Sequence, residues 1–158
     1  MQKLDRIDRK ILTLMQQNGR ISNLELAEQI GLSPSPCSRR VKALEDEGLI
    51  RSHVTLLNPD RLNLKLTAYI HVTVDKHTPE RLENFNREVS QMPEVLECAL
   101  ITGNDADYQL TVMVPDMDHY QQFLLGKLTR IEGVNGVRSS FVLRQIKQQT
   151  ALPLDHLE

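Results

Sequence analysis

Apolar residues recur at three- and four-residue steps through the first part of the chain. Leu4, Ile7, Ile11, Leu14 and Met15 form one helix face, and Asn18-Gly19 stops the run. Ser22 followed three residues later by Glu25 is a capping box that opens a short second helix. Leu26, Ala27 and Ile30 are its buried side, and Gly31 ends it. A third helix follows Leu32. Ser33 is placed to cap it, its hydroxyl accepting from a first-turn amide. Pro34 then falls at the first helical position and Pro36 at the third. Proline breaks helix interiors, but first-turn amides have no intrahelical acceptor, so the missing donors cost no ladder bond there. Ser35 precedes a proline and is pushed away from helical angles, which predicts some strain in this turn. Cys37, Val41 and Leu44 face inward, and Gly48 stops the helix. The β-branched stretch LIRSHVTLLNP predicts two short strands, which would make a winged helix-turn-helix.

The periodicity changes after residue 60. Ala68, Ile70, Val72 and Val74 alternate within LTAYIHVTV and predict a strand over 66–74. Leu82, Phe85 and Val89 mark a helix over 79–92. Two strands, VLECALIT and YQLTVMV, flank GNDAD; a helix, MDHYQQFLLGKLTRI, and a last strand, GVRSSFVLRQIK, complete the order β-α-β-β-α-β. That order is the ferredoxin-like arrangement. The fold class is therefore α+β, with a helical domain over 1–60 and a ferredoxin-like domain over 61–158. Two helices cover one face of such a sheet, so a second subunit is the expected cover for the other.

Composition narrows the function classes. The 158 residues carry a formal net charge of −2, which by itself is no nucleic-acid signature. Residues 1–61 hold 10 Lys/Arg against 8 Asp/Glu, and residues 62–158 hold 9 against 13. The basic excess thus sits in the helical part. Cys37 and Cys98 form no CxxC pattern, and no stretch approaches the roughly 18 apolar residues of a membrane span. A soluble, cytoplasmic protein is expected. The five histidines lack metal-ligand spacing, and Cys37 on an apolar face reads as packing rather than a nucleophile. Neither a metal, a cofactor nor an enzyme activity is expected.

The third helix carries the strongest chemical pattern. Ser35, Ser38, Arg39, Arg40 and Lys42 crowd its N-terminal half, while Glu45, Asp46 and Glu47 gather at its far end. The helix dipole favours phosphate at the same N-terminal end. A helix entering a DNA major groove by that end needs this polarity. The candidate DNA-binding set is Ser33, Ser35, Pro36, Ser38, Arg39, Arg40, Lys42 and Arg51. Arg51 reaches the backbone from the wing or is plain surface; His53 nearby fits surface better.

Three segments, LDRIDRKILTLMQQNGR, LAEQIGLSPSPCSRRVKALEDEGLI and TGNDADYQLTVMVPDM, resemble the leucine-responsive/asparagine-responsive (Lrp/AsnC) family of transcription regulators. The resemblance spans essentially the whole chain. It implies a winged helix-turn-helix joined by a strand-bearing linker to a βαββαβ effector (RAM) domain. It also implies homodimers that assemble to octamers on double-stranded DNA, with an amino acid bound between dimers. The family's effector site maps here onto Thr102, Gly103, Asn104, Asp105, Asp107 and Tyr108, with Ser139 and Ser140 on the last strand. Carboxylates suit the effector's ammonium, and amides around Gly103 suit its carboxylate. One common family pattern has two residues between this glycine and Asp-Tyr, where this chain has the three residues NDA. That leaves open which aspartate meets the ligand. The SPSPC form resembles the leucine-responsive branch and points toward leucine or methionine. The alternative is an amino-acid-binding oligomeric module acting through protein contacts rather than DNA.

Overall fold

The computed structural model describes residues 4–103 and 105–157. The chain divides into two compact units. One comprises residues up to Leu56 together with those from Lys147 onward; the other is Leu57–Ile146.

The first unit is built on α1 (Arg6–Gln17), α2 (Asn23–Ile30) and α3 (Pro34–Asp46). Asp5 caps α1 by accepting from the amides of Ile7 and Asp8, and Asp8 returns the bond to the Asp5 amide. Ser22 and Glu25 form the expected capping box on α2. Gly31 closes that helix in the left-handed region, at φ 74°. Ile11, Leu12, Leu26, Ala27, Ile30, Cys37 and Leu44 form the core, with Val41 packed against it.

Three local expectations are revised here. Ser33 sits at the N-cap of α3 but makes no side-chain capping bond. The reason is covalent: a capping hydroxyl seeks the second or third helical amide, and Pro36 removes the third. Ser35 is carried within the helix. The two strands expected after Gly48 do not form, and residues 51–58 are exposed and lie outside any helix or strand. A strand needs a hydrogen-bonding neighbour, and the segment finds none among the described residues. Val54 and Leu56 are left about 70% exposed (74% and 69%).

The far end of the chain, expected with the second domain, packs on the first unit. Gln16 Nε2 donates to the Leu152 carbonyl at 3.2 Å, and the Leu152 amide donates to Gln16 Oε1 at 2.6 Å. Arg9 Nη1 donates to the Leu157 carbonyl at 2.6 Å, and Leu154 joins the apolar cluster.

The second unit contains β1 (Leu66–Val74), α4 (Pro79–Ser90), β2 (Val95–Leu100), β3 (Tyr108–Val114), α5 (Met117–Gly126) and β4 (Val134–Phe141). Short 3₁₀ turns cover Asp60–Leu62 and Leu128–Arg130. The sheet order is β2-β3-β1-β4, every pair antiparallel. Ala68, Ile70 and Val72 of β1 pair with Val112, Leu110 and Tyr108 of β3, and Val74 and Val114 belong to the same buried layer. Phe85 and Val89 of α4 and Tyr120 and Phe123 of α5 cover that layer. The opposite face, with Tyr69, His71, Gln109 and Thr111, has no covering element among the described residues of this unit. At one end of the sheet three connections meet: residues 75–78, the described residues 101–103 and 105–107, and residues 131–133. The Asp75 amide donates to the Gly133 carbonyl at 2.8 Å and ties two of them.

Candidate nucleic-acid interface and effector loop

The amphipathic spacing of α3 fixes which side chains face outward. Cys37 and Leu44 are buried, at 0% and 3% exposure, so the flanking positions are turned away from the core. Ser33, Pro34, Ser35, Ser38, Arg39 and Lys42 are exposed, Pro36 is half-buried, and Arg51 lies exposed beyond the helix. Burial raises the Cys37 thiol pKa, which suits a packing role rather than a reactive one. Because Pro34 and Pro36 lack N–H groups, Ser35 brings the only backbone donor of the first three positions. Anion binding at this end therefore falls to side chains and the dipole more than to a ring of amides.

Arg40 stands apart from the other candidates. Its Nη1 lies 2.8 Å from Asp5 Oδ2 and 2.7 Å from Asp8 Oδ1, so it ties α3 to the start of α1. Its bonds to Asp8 and then Asp5 raise the guanidinium pKa further. The sequence grouped Arg40 with the DNA-facing cations; the fold turns it toward its own domain. His53 lies 3.3 Å from Glu45 Oε1 at the end of α3. Asn23 was not singled out from the sequence, yet its Nδ2 donates to the Pro34 carbonyl at 2.8 Å and braces the α2–α3 turn.

In the second unit the loop between β2 and β3 reverses at Gly103, whose φ of 95° is a left-handed angle. Thr102, Gly103 and Asp105 are exposed, and Asn104 lies outside the described residues. Asp107 is half-buried and heavily engaged. Its Oδ2 accepts from the Val74 amide at 2.7 Å, and its Oδ1 lies 2.5 Å from His77 Nε2. Its own amide donates to the Val72 carbonyl, and its carbonyl accepts from the Ile101 amide. Burial alone would raise its pKa; the Val74 amide and His77 outweigh burial and lower it.

Tyr108 is 2% exposed and packs on Phe85 with ring centroids 4.2 Å apart. Its hydroxyl is buried and has no hydrogen-bond partner among the described residues. Burial, then Cys98 and Asp107, raise its pKa. A cleft of about 480 Å³ opens beside it between α4 and β2, lined in part by Val89, Val95, Cys98 and Leu100.

Ser139 and Ser140 are not brought to this loop within one chain. They pair with Ile70 and Tyr69 and so face opposite sides of the sheet. Ser139 faces the helices and hydrogen-bonds the Tyr120 hydroxyl, while Ser140 is exposed. His77, in the connection between β1 and α4, is the partner of this loop that sequence reasoning missed. It lies thirty positions from Asp107, and no local pattern links them. Among the described residues no group of three or more His, Cys, Asp or Glu is placed to hold a metal, and no helix is long and apolar enough to cross a membrane.

A helix-turn-helix unit with a basic, hydroxyl-bearing third helix, followed by a βαββαβ unit with an aspartate-bearing loop, is the layout of a DNA-binding regulator with a second, ligand-binding domain. Comparisons with known proteins agree in both units. Residues 4–51 match the winged helix-turn-helix DNA-binding family, and residues 67–152 match the Lrp/AsnC ligand binding domain. The chain is 44% identical over 149 residues to the leucine-responsive regulatory protein of Escherichia coli, covering 94% of this chain and 90% of that one. The crystal structure of a transcriptional regulator from Neisseria meningitidis in complex with L-Met superposes with a TM-score of 0.94 at 45% identity, over 98% of this chain and 99% of that one. An AsnC family transcriptional regulator from Agrobacterium tumefaciens gives 0.92 at 40% identity, over 97% and 99%. The chain belongs to the Lrp/AsnC family; it is a DNA-binding transcription regulator with an amino-acid-binding domain, not an enzyme.

Proposed function

We propose that this regulator responds to an aliphatic or sulfur-containing amino acid, leucine or methionine, bound at the β2–β3 loop. The observation that carries the choice is the likeness to the Neisseria relative, which was solved with L-Met. The effector's ammonium meets a loop carboxylate, and amides around Gly103 take its carboxylate. Ser140 lies exposed on the open sheet face, away from the loop of its own chain, so it serves a site completed by a neighbouring subunit, while Ser139 is turned inward and bonded to Tyr120. That arrangement fits homodimers joined through the open sheet face and assembled further to octamers.

On DNA, α3 enters the major groove by its N-terminal end. Arg39, Lys42 and Arg51 contact phosphate or base edges, with Ser33, Ser35, Pro36 and Ser38 at the surface. Arg40 acts indirectly by holding α3 on α1. Thermal shift against the twenty amino acids tests the effector half. A ligand at 100 times its dissociation constant adds about 2.7 kcal/mol, so leucine or methionine should raise the melting temperature clearly. A stabilising lysine or arginine with no response to either would overturn the preference. For the DNA half, Arg39→Ala with Lys42→Ala should weaken operator binding roughly 100-fold and flatten its salt dependence by about two counterions. Unchanged gel-shift affinity would remove α3 from the interface.

A further inference from the structure

The β2–β3 loop carries two aspartates two residues apart, and the geometry separates their roles. We propose that Asp107 positions this loop, with His77 as its anchor, and that Asp105 is the carboxylate left to meet an effector's ammonium group. The second half rests on the reading of this loop as the amino-acid site; the first half does not.

Each oxygen of Asp107 already holds a partner. Oδ2 takes the amide of Val74, the last residue of β1, and Oδ1 meets His77 Nε2 in the connection leading to α4. The main chain of Asp107 is pinned as well, to Val72 on one side and to Ile101 on the other. A carboxylate held at both oxygens, its side chain 20% exposed, can rotate toward a ligand only by breaking those bonds, and leaving the Val74 amide unpaired costs stability. Asp105 is exposed and makes no bond among the described residues, so its lone pairs are available at no such cost.

The surrounding charges leave His77 as the neighbour that holds Asp107. Asp75, next to Val74, is taken up by Arg81, whose Nε lies 3.2 Å from it while Nη1 reaches Glu132 at 2.9 Å. Tyr108, the following residue, turns its ring into the core against Phe85. The anchor thus links the connection after β1 to the loop after β2. A loop held at Asp107 leaves Thr102, Gly103 and Asp105 as its outer tip, which is where a ligand would arrive.

The test uses the full-length chain, with L-methionine as the calorimetric probe and carboxyl-selective NMR to follow Asp107. Asp105→Asn should weaken methionine binding at least tenfold and leave the Asp107 titration where it is. His77→Ala should weaken binding roughly three- to tenfold and move the Asp107 titration to higher pH, because a bond that favours the ionised form is gone. His77→Gln retains a donor and should restore affinity to within about twofold. His77 is 66% exposed, so these variants should melt close to the parent, which separates positioning from folding. An Asp107 titration unmoved by His77→Ala overturns the anchor. If Asp107→Asn abolishes binding while Asp105→Asn and His77→Ala bind as the parent does, Asp107 is itself the ligand and the assignment is reversed. If the parent binds neither methionine nor leucine, the Asp105 half fails with the effector reading, and the NMR arm still decides the anchor.

Discussion

The two surfaces of this regulator are held in place by different means. On α3 the exposed residues Ser35, Ser38, Arg39 and Lys42 ride on a helix positioned by Cys37 and Leu44 a turn away. Helical spacing alone turns these side chains outward, while the helix as a whole is tied to the start of α1 by Arg40. In the second unit, the β2–β3 loop is fixed by a carboxylate that reaches residues 33 and 30 positions away. The first surface should tolerate substitution of any one outward residue without loss of fold. The second depends on distant partners, so changes outside the loop should be felt within it.

Core truncation offers the largest effect. Ile11→Ala in the helical unit and Leu110→Ala in the sheet unit each empty a fully buried site and should cost about 2–5 kcal/mol in urea unfolding. Costs below 1 kcal/mol at either site would mean that the core is not packed as described. Gly133 comes next. Its φ is +94°, and an added Cβ would lie 2.3 Å from Arg81 Cδ and 3.0 Å from Asp75 Oδ1. Gly133→Ala should therefore destabilise by about 1–3 kcal/mol and loosen the Arg81–Asp75 pair at the loop end of the sheet. An unchanged melting temperature would remove that end as a rigid support.

The helix caps give a finer contrast. Ser22→Ala should cost about 1 kcal/mol, since Ser22 makes a complete capping box. Ser33→Ala should cost only a few tenths of that, because the Ser33 side chain makes no capping bond. Equal costs would show that Ser33 caps after all. The smallest effect is in pH. The Asp107 pKa is lowered on folding. Its contribution is thus present above the ordinary carboxylate pKa and is lost as pH falls through the lower folded value. Between neutral pH and pH 5 it should be unchanged. Acid unfolding of His77→Ala should begin at slightly higher pH than in the parent, and coincident acid transitions would argue against the pairing.

Local signals carried far in this chain. The Ser22–Glu25 box, Gly31, the first-turn proline of α3 and the alternation over 66–74 all stand in the structure where their chemistry placed them. Each depends on groups within four residues, or on a period set by the backbone itself. The revised readings share the opposite property. Ser33 was judged by its own hydroxyl, while the deciding atom was the missing N–H of Pro36. Arg40 was grouped by charge, while Asp5 and Asp8 decide its direction from 35 and 32 positions away. Residues 51–58 have the composition of strands but no neighbouring strand to pair with among the described residues.

The sequence by itself determined the helical spacing, the caps, the order of strands and helices, and the residue types that suit phosphate and an amino acid. These follow from periodicity and short-range hydrogen bonding, which need no knowledge of the fold. Only the tertiary structure decided which cations turn outward, which of two aspartates is already committed, and that the far end of the chain packs on α1. Those outcomes depend on groups distant in sequence meeting in space, and a charge or a hydroxyl carries no record of its partner until the chain has folded around it.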